Sequence, residues 1–513
     1  MKNNLKKILS VLCTVLFFIG CSEDFLVEEP QGAIVNADQL SEAIDLNPDL
    51  GEATVTGIYA TMFTTETGGT TSQQDFGQKG YDIYLDMLSG DMALTLSSFG
   101  WYRARITELQ GPVDFTQQEN YQPWRYYYRI VNLANLVIES VGGNDANPED
   151  PSIRGILGQA LAMRAHSYFY LTLFFINDVE ASWTSPTLPI YDVPGLVGKP
   201  KSTTEEVYQL MESDLNKAIN LLEDFNRTAK TQVDQSVAQT MLAYVLASRR
   251  DRWSDVVTLT AAALANTSAT PMVADFAIPG QTPVTNTDDI RGGFNDVGAS
   301  GWMWGVDINA DIGLGLVSWW GQIDAFSFSY AGFGDNKAMD IGLYESMAAD
   351  DIRREQYLID PDATNHLQPY FKFYDSDRVF RGSSQIVKAD YIYMRVEELI
   401  LLNAEALAKS GQEPEARTAL EGFVETRLTS GDASYIAGLS GQALIDEIYK
   451  QTRLELWGEG KSYLALKRNR ASVTRGANHL SFVGVTMPHD DERLTFEIPQ
   501  QAIQDNNFIN DQN

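Results

Sequence analysis

ADYIYMRVEELILLNAEALAKSG, residues 389–411, puts Ile392, Val396, Leu399, Leu402 and Ala406 on one helical stripe and stops at Gly411. Arg395 and Glu398 stand three residues apart on that stripe, the spacing of a helical ion pair rather than of a site. Working outward, the pattern predicts further helices over 413–428, 442–457 and, shorter, 461–468. Upstream it predicts a helix over 124–141, ended by Gly142-Gly143, and another over 151–175 with Pro151 in its first turn. Helices over 204–222, 235–249 and about 252–265 follow, and 54–63 reads as a short one.

Paired helices of this length, with short turns and Ala, Tyr and Leu at their contacts, predict a mainly α chain. The expected architecture is a TPR-like scaffold of helical hairpins, although no strict 34-residue period can be counted. The scaffold is expected over about 120–266 and 390–470, within a single domain from residue 50 to 513. Between the two blocks, residues 267–388 are rich in Gly, Trp, Phe, Asp and Asn and lose the helical period. So long an insertion is expected to carry short strands and packed loops, and to concentrate functional residues.

The chain begins MKNNLKKILSVLCTVLFFIGCSEDF. Lys2, Lys6 and Lys7 precede about a dozen apolar residues, which is a secretory signal rather than a membrane-spanning helix. Phe18-Ile19-Gly20-Cys21 resembles a loose lipobox, so residues 1–20 are expected to be removed and Cys21 to be lipidated. An ordinary signal with an incidental Cys21 is the competing reading. A polar leader from Ser22 to about Asp49 would then tether the body. With Cys13 lost in the signal, the remaining chain has only Cys21 and no internal disulfide. Stability must come from a core, which 513 residues at 44% hydrophobic can build. The formal charge is −31, and loss of the three signal lysines takes it to −34. That balance disfavours nucleic acid and anionic membrane as partners.

Several segments together resemble the SusD/RagB family of Bacteroidetes outer-membrane lipoproteins. They are Asp390–Ala406 with Arg395, the acidic pair and Ala404-Glu405-Ala406, and the R-x-E-L-x-x-E-G-like Arg453–Gly460. The Phe496-Glu497-Ile498-Pro499 tail with Asn507 and Gln512-Asn513, the Ala160–Tyr170 run and Asp340–Arg354 are similar too. Leu454 and the loose lipobox depart from the family pattern. The resemblance implies a non-enzymatic, surface-exposed binding lipoprotein without cofactor. It would sit as a lid on a SusC-like TonB-dependent transporter and deliver glycan to it. A RagB-like peptide-binding role is the alternative; a surface glycoside hydrolase and a scaffold that binds only proteins are further rivals.

Glycans offer flat C–H faces and hydroxyl edges, so a site needs exposed aromatic platforms beside carboxylates, amides or guanidinium groups. Two segments fit. Residues 75–105 carry Tyr81, Asp86, Asp91, Trp101, Tyr102 and Arg103; residues 301–333 carry Trp302, Trp304, Asp307, Trp319, Trp320, Gln322, Asp324 and Tyr330. The chosen ligand-binding candidates are Tyr81, Asp91, Trp101, Tyr102, Trp304, Trp319, Trp320 and Tyr330. Trp302 and Trp304 alternate as in a strand and could both face a core. Trp319 and Trp320, if extended, point apart, so at least one is expected at the surface. Trp124, Trp253 and Trp457 lie in predicted helices and read as core.

Catalytic signatures are thin. There is no G-x-S-x-G, H-E-x-x-H or P-loop, and Gly313-Leu314-Gly315 meets Ser318 where a dinucleotide fingerprint needs glycine. His166, His366, His479 and His489 are scattered without metal-ligand spacing. Among 69 acidic residues, a pair such as Asp86 and Asp91 arises by chance.

Overall fold

The computed structural model describes residues 37–47, 49–195, 197–272, 294–325, 328–373 and 386–513. The signal segment, Cys21 and its acidic followers lie outside the described residues. In chain order the main helices are α1 (Ala37–Leu46), α2 (Asp49–Thr61), α3 (Gln78–Leu88), α4 (Gln118–Ser140), α5 (Pro151–Phe175), α6 (Thr204–Leu221), α7 (Gln235–Arg249) and α8 (Trp253–Asn266). After the insertion come α9 (Val396–Lys409), α10 (Glu413–Glu425), α11 (Gln442–Glu455), α12 (Ser462–Asn469) and α13 (Gln500–Asp505). The strands are β1 (Met92–Leu94), β2 (Pro186–Pro189), β3 (Lys201–Thr203), β4 (Trp302–Val306), β5 (Lys337–Met339), β6 (Tyr391–Arg395), β7 (Ser472–Thr474) and β8 (Thr486–Pro488). They form antiparallel two-stranded pairs, β1 with β5, β2 with β3, β4 with β6 and β7 with β8.

Helices pack in sequence, α4 on α5, α5 on α6, α6 on α7 and α7 on α8, and α8 then meets α9, which carries α10 and α11. This is the expected TPR-like scaffold with a loop-rich insertion. Local chemistry starts the helices. Asp150 accepts hydrogen bonds from the Ser152 and Ile153 amides ahead of Pro151 at the first position of α5. Thr203 and Glu206 make a reciprocal capping box on α6, and Asp234 caps α7 through the Val237 amide. From Gly155 to Phe175 every residue of α5 is buried, so this stretch has no solvent face and lies at the centre of the packing. Arg164 on α5 donates two 2.7 Å hydrogen bonds to Asp214 on α6, clamping the two helices together inside the core.

Three segments differ from the sequence reading. Residues 391–395 are strand, not helix: Tyr391, Ile392, Tyr393 and Met394 are aromatic or apolar, and they pair with β4 in the register Trp302↔Arg395 to Val306↔Tyr391. The polar leader expected up to residue 49 contains α1, which packs on α4 and buries Ile44. Finally, α3 is a fully buried helix, its Lys79 paired with Asp82 at 3.0 Å. Those charges hid its period.

The Arg395–Glu398 pair expected from their spacing is replaced by a larger construction. Because Arg395 is the last residue of β6 and precedes α9, its backbone N–H, not its guanidinium, donates to Glu398 Oε1 at 2.9 Å. The guanidinium turns instead to Glu455 (2.7 Å) and Glu459 (2.8 Å), which come from the Arg453–Gly460 segment. Glu455 also meets Arg353 (3.2 Å) and Arg427 (3.0 Å), and Glu459 meets Lys372 (3.0 Å). The two sequence segments that looked most distinctive are thus halves of one buried ionic cluster.

Candidate functional site

The surface where a ligand could lie is built by the β1–β5 pair. Leu94 pairs with Lys337, and the chain leaving β1 stays bound to the chain entering β5. The Thr95 amide donates to Asn336 O and the Ser98 amide to Gly334 O. Gly334 has φ +128°, and a Cβ there would lie 2.4 Å from Ser98 Oγ, so only glycine allows this approach. Asp335 then turns its carboxylate onto the other strand, accepting from the Phe99 amide (2.9 Å) and the Trp101 amide (3.1 Å). These bonds hold Ser98-Phe99-Gly100-Trp101 as a fixed loop.

Three rings converge there. Tyr330, which opens a single helical turn (Tyr330–Phe333), lies edge-on to Phe99 at 5.3 Å and to Trp101 at 5.9 Å. Its hydroxyl donates to Gln73 Oε1 at 2.9 Å. Phe99 is 52% exposed, Phe333 at the end of the turn is 43% exposed, and Trp101 and Tyr330 are half-buried. Beyond the rings, exposed Arg103 bonds Glu108 at 3.0 Å, and Arg105 bonds Gln110 at 3.1 Å. An exposed aromatic group on rigid backbone, with the Gln73 amide bonded to the Tyr330 hydroxyl, suits the C–H faces and hydroxyls of a sugar.

Beneath the loop, Lys337 is wholly buried. Its ammonium lies 5.0 Å from the Tyr102 ring centre and donates to Gln322 Oε1 at 2.9 Å and Asp335 O at 3.3 Å. Burial pulls its pKa down to about 7, with the Asp335 charge opposing. The unfolded chain therefore holds this proton to a higher pH than the folded one, and stability rises as pH goes from about 7 toward the free-lysine value. Lys337→Met will flatten that rise by up to about 1.4 kcal/mol per pH unit, measured as urea-unfolding free energy between pH 7 and 10.

Of the residues chosen from the sequence, Trp101 and Tyr330 are brought together on this surface. The others belong to the interior. Tyr81 and Tyr102 are fully buried in the aromatic core, and Tyr81 donates to Asp75 at 3.2 Å. Asp91 is buried and bound to Arg453 at 2.5 Å, an ion pair rather than a ligand contact. Trp304 lies in β4 with its indole N–H on Thr231 O, and Trp302 beside it is buried too. Trp319 and Trp320 do not point apart along an extended chain. Ser318 caps a helical turn, so the adjacent indoles meet at 4.9 Å with each residue only 2% exposed, and Trp320 donates to Ala389 O at 2.7 Å. Their removal will act on stability: Trp320→Ala should cost about 3–5 kcal/mol in chemical denaturation. Sequence reasoning overlooked Phe99, Phe333, Gln73 and Asp335. The signal that could have found Phe99 was the aromatic–Gly–aromatic string itself, since two large rings around a glycine seldom both find a core.

Among the described residues no cluster of three His, Cys, Asp or Glu side chains is arranged to hold a metal, and no helix is long and apolar enough to cross a membrane.

Two family profiles match the chain, one described as "Starch-binding associating with outer membrane" over residues 77–246 and one as "SusD family" over residues 353–512. A SusD-like protein of Formosa agariphila is 23% identical over 167 residues, and one of Bacteroides ovatus is 24% identical over 248. These matches take in 32% and 47% of this chain, and the chain spans only 30% and 39% of those relatives. Among solved structures, a SusD-like carbohydrate binding protein from Bacteroides vulgatus aligns with a TM-score of 0.72 at 21% identity, over 90% of this chain and 96% of its own. Surface glycan-binding protein A from Bacteroides thetaiotaomicron, solved with laminarihexaose, aligns at 0.67 and 14% identity, over 91% and 99%.

Proposed function

Since the chain belongs to the SusD/RagB family, we propose that it binds glycan at the cell surface through the Phe99–Trp101–Tyr330 platform and hands it to a SusC-like TonB-dependent transporter. The observation that carries the reading is the platform itself. Exposed rings held by backbone bonds to Asp335 have no folding role that would keep Phe99 in water. The family supports the partner and the outer-membrane setting, and the signal ending at Cys21 supports a lipid tether; two or more acyl chains make such an anchor stable. The likeness to solved carbohydrate-binding proteins supports binding without catalysis.

Native electrophoresis through gels containing individual polysaccharides tests this. The protein should be retarded by at least one of them and release no reducing ends. Release of reducing sugar would replace the reading with a hydrolase. Retardation by none, with binding to peptides, would replace it with peptide uptake.

A further inference from the structure

A second cleft, of about 470 Å³, opens between α4 and the C-terminal α13 and shares no residue with the platform. That volume is in the range of small-ligand sites. One wall is a single face of α4, where Tyr121, Trp124, Arg125, Tyr128, Arg129 and Asn132 recur at three- and four-residue steps. The other wall comes from Tyr191, Gly198 and α13 with Asp505.

Trp124 and Tyr128 show only their edges, and Tyr128 is pinned by its hydroxyl on Pro189 O at 2.9 Å, so the floor is rigid and aromatic. Arg125 is fixed above it: its stem crosses Gly69, where a Cβ would lie 2.4 Å from Arg125 Cδ, and its guanidinium donates to the Tyr121 hydroxyl at 2.7 Å. Arg129, one turn on, is exposed and makes no hydrogen bond or ion pair with a described residue. The Trp124 indole N–H has no partner among them either. In a chain with 69 acidic and 38 basic residues, two adjacent arginines without a described carboxylate against them stand out. Asp505 lines the cleft opposite them and makes no ion pair with a described residue.

We propose that this cleft is a binding site for a uronic acid residue, a pyranose carrying a carboxylate. The planar guanidinium of Arg129, with Arg125 beside it, takes the carboxylate in fork geometry. The sugar's C–H face rests on Trp124, and its hydroxyls reach Asp505 and the Asn132 amide. A neutral sugar would leave both arginines unused.

The test is titration of the full chain with digalacturonic acid and with neutral galactobiose. The diacid should bind at least about tenfold more tightly than the neutral disaccharide, and its affinity should weaken with salt. Arg129→Gln and Arg125→Gln should each lower diacid affinity about tenfold, while Phe99→Ala/Tyr330→Ala leaves it unchanged. Absence of diacid binding, equal affinity for the two disaccharides, or indifference to both arginine substitutions overturns the proposal. Loss of diacid binding in the platform variant instead moves the site to the platform, which overturns this inference and leaves the proposed function standing.

Discussion

Phe99→Ala combined with Tyr330→Ala will weaken binding of the retarding glycan about 30-fold or more, while the fold survives. Two rings that meet edge-on at 5.3 Å form the exposed part of the platform. Central aromatic contacts of this kind typically account for about 2 kcal/mol or more of a binding free energy, and each 1.4 kcal/mol is tenfold. Because Phe99 is 52% exposed, its truncation removes little buried surface. Tyr330 loses a hydrogen bond to Gln73, worth about 1 kcal/mol. Isothermal titration should therefore show the loss in affinity, and urea unfolding should show a decrease of roughly 1–2 kcal/mol. A variant that binds normally would remove the platform from the account.

Glu455→Ala will do the opposite, leaving the platform in place and lowering stability by about 3–5 kcal/mol. Three guanidinium groups, from Arg353, Arg395 and Arg427, converge on this one carboxylate, all essentially without solvent. Removing it leaves buried cations whose desolvation is no longer compensated. The exposed Glu180, which pairs with Arg250 and Arg470 while 65% accessible, is the control: Glu180→Ala should cost less than about 1 kcal/mol. The cluster also fixes an acid response. Burial alone would raise the Glu455 pKa, but Arg427, Arg395 and Arg353 outweigh it and hold it well below the ordinary glutamate value of 4.5. A depressed carboxyl stabilises the fold fully above that ordinary value, and the contribution is lost as pH falls toward the folded pKa. Wild-type stability should therefore drop steeply below about pH 4.5, and Glu455→Gln should start lower and drop less.

The helices from α4 to α8 and from α9 to α12 were legible because a 3.6-residue period, caps such as Asp150 and Thr203, and stops such as Gly142 are local properties. Partners are not local. Arg395 and Glu398 have helical spacing, yet Arg395 belongs to a strand whose β4 partner lies about 90 residues upstream, so its guanidinium is free to reach α11. The site suffered in the same way. Trp319 and Trp320 sit in a Gly-flanked, irregular-looking stretch, and nothing nearby in sequence announces that Ala389 and Tyr391 enclose them. Trp101 and Tyr330 do reach the surface, as aromatic residues in loops often do, but Asp335, which joins their two segments, becomes visible only once β1 and β5 are paired.

Location of the bound glycan is the most direct test of the central claim. A crystal structure of the protein with an oligosaccharide of the polysaccharide that retards it should show a pyranose face within about 4 Å of the Phe99 or Trp101 ring. Sugar bound elsewhere, with the Phe99–Trp101–Tyr330 rings bare, would contradict the account.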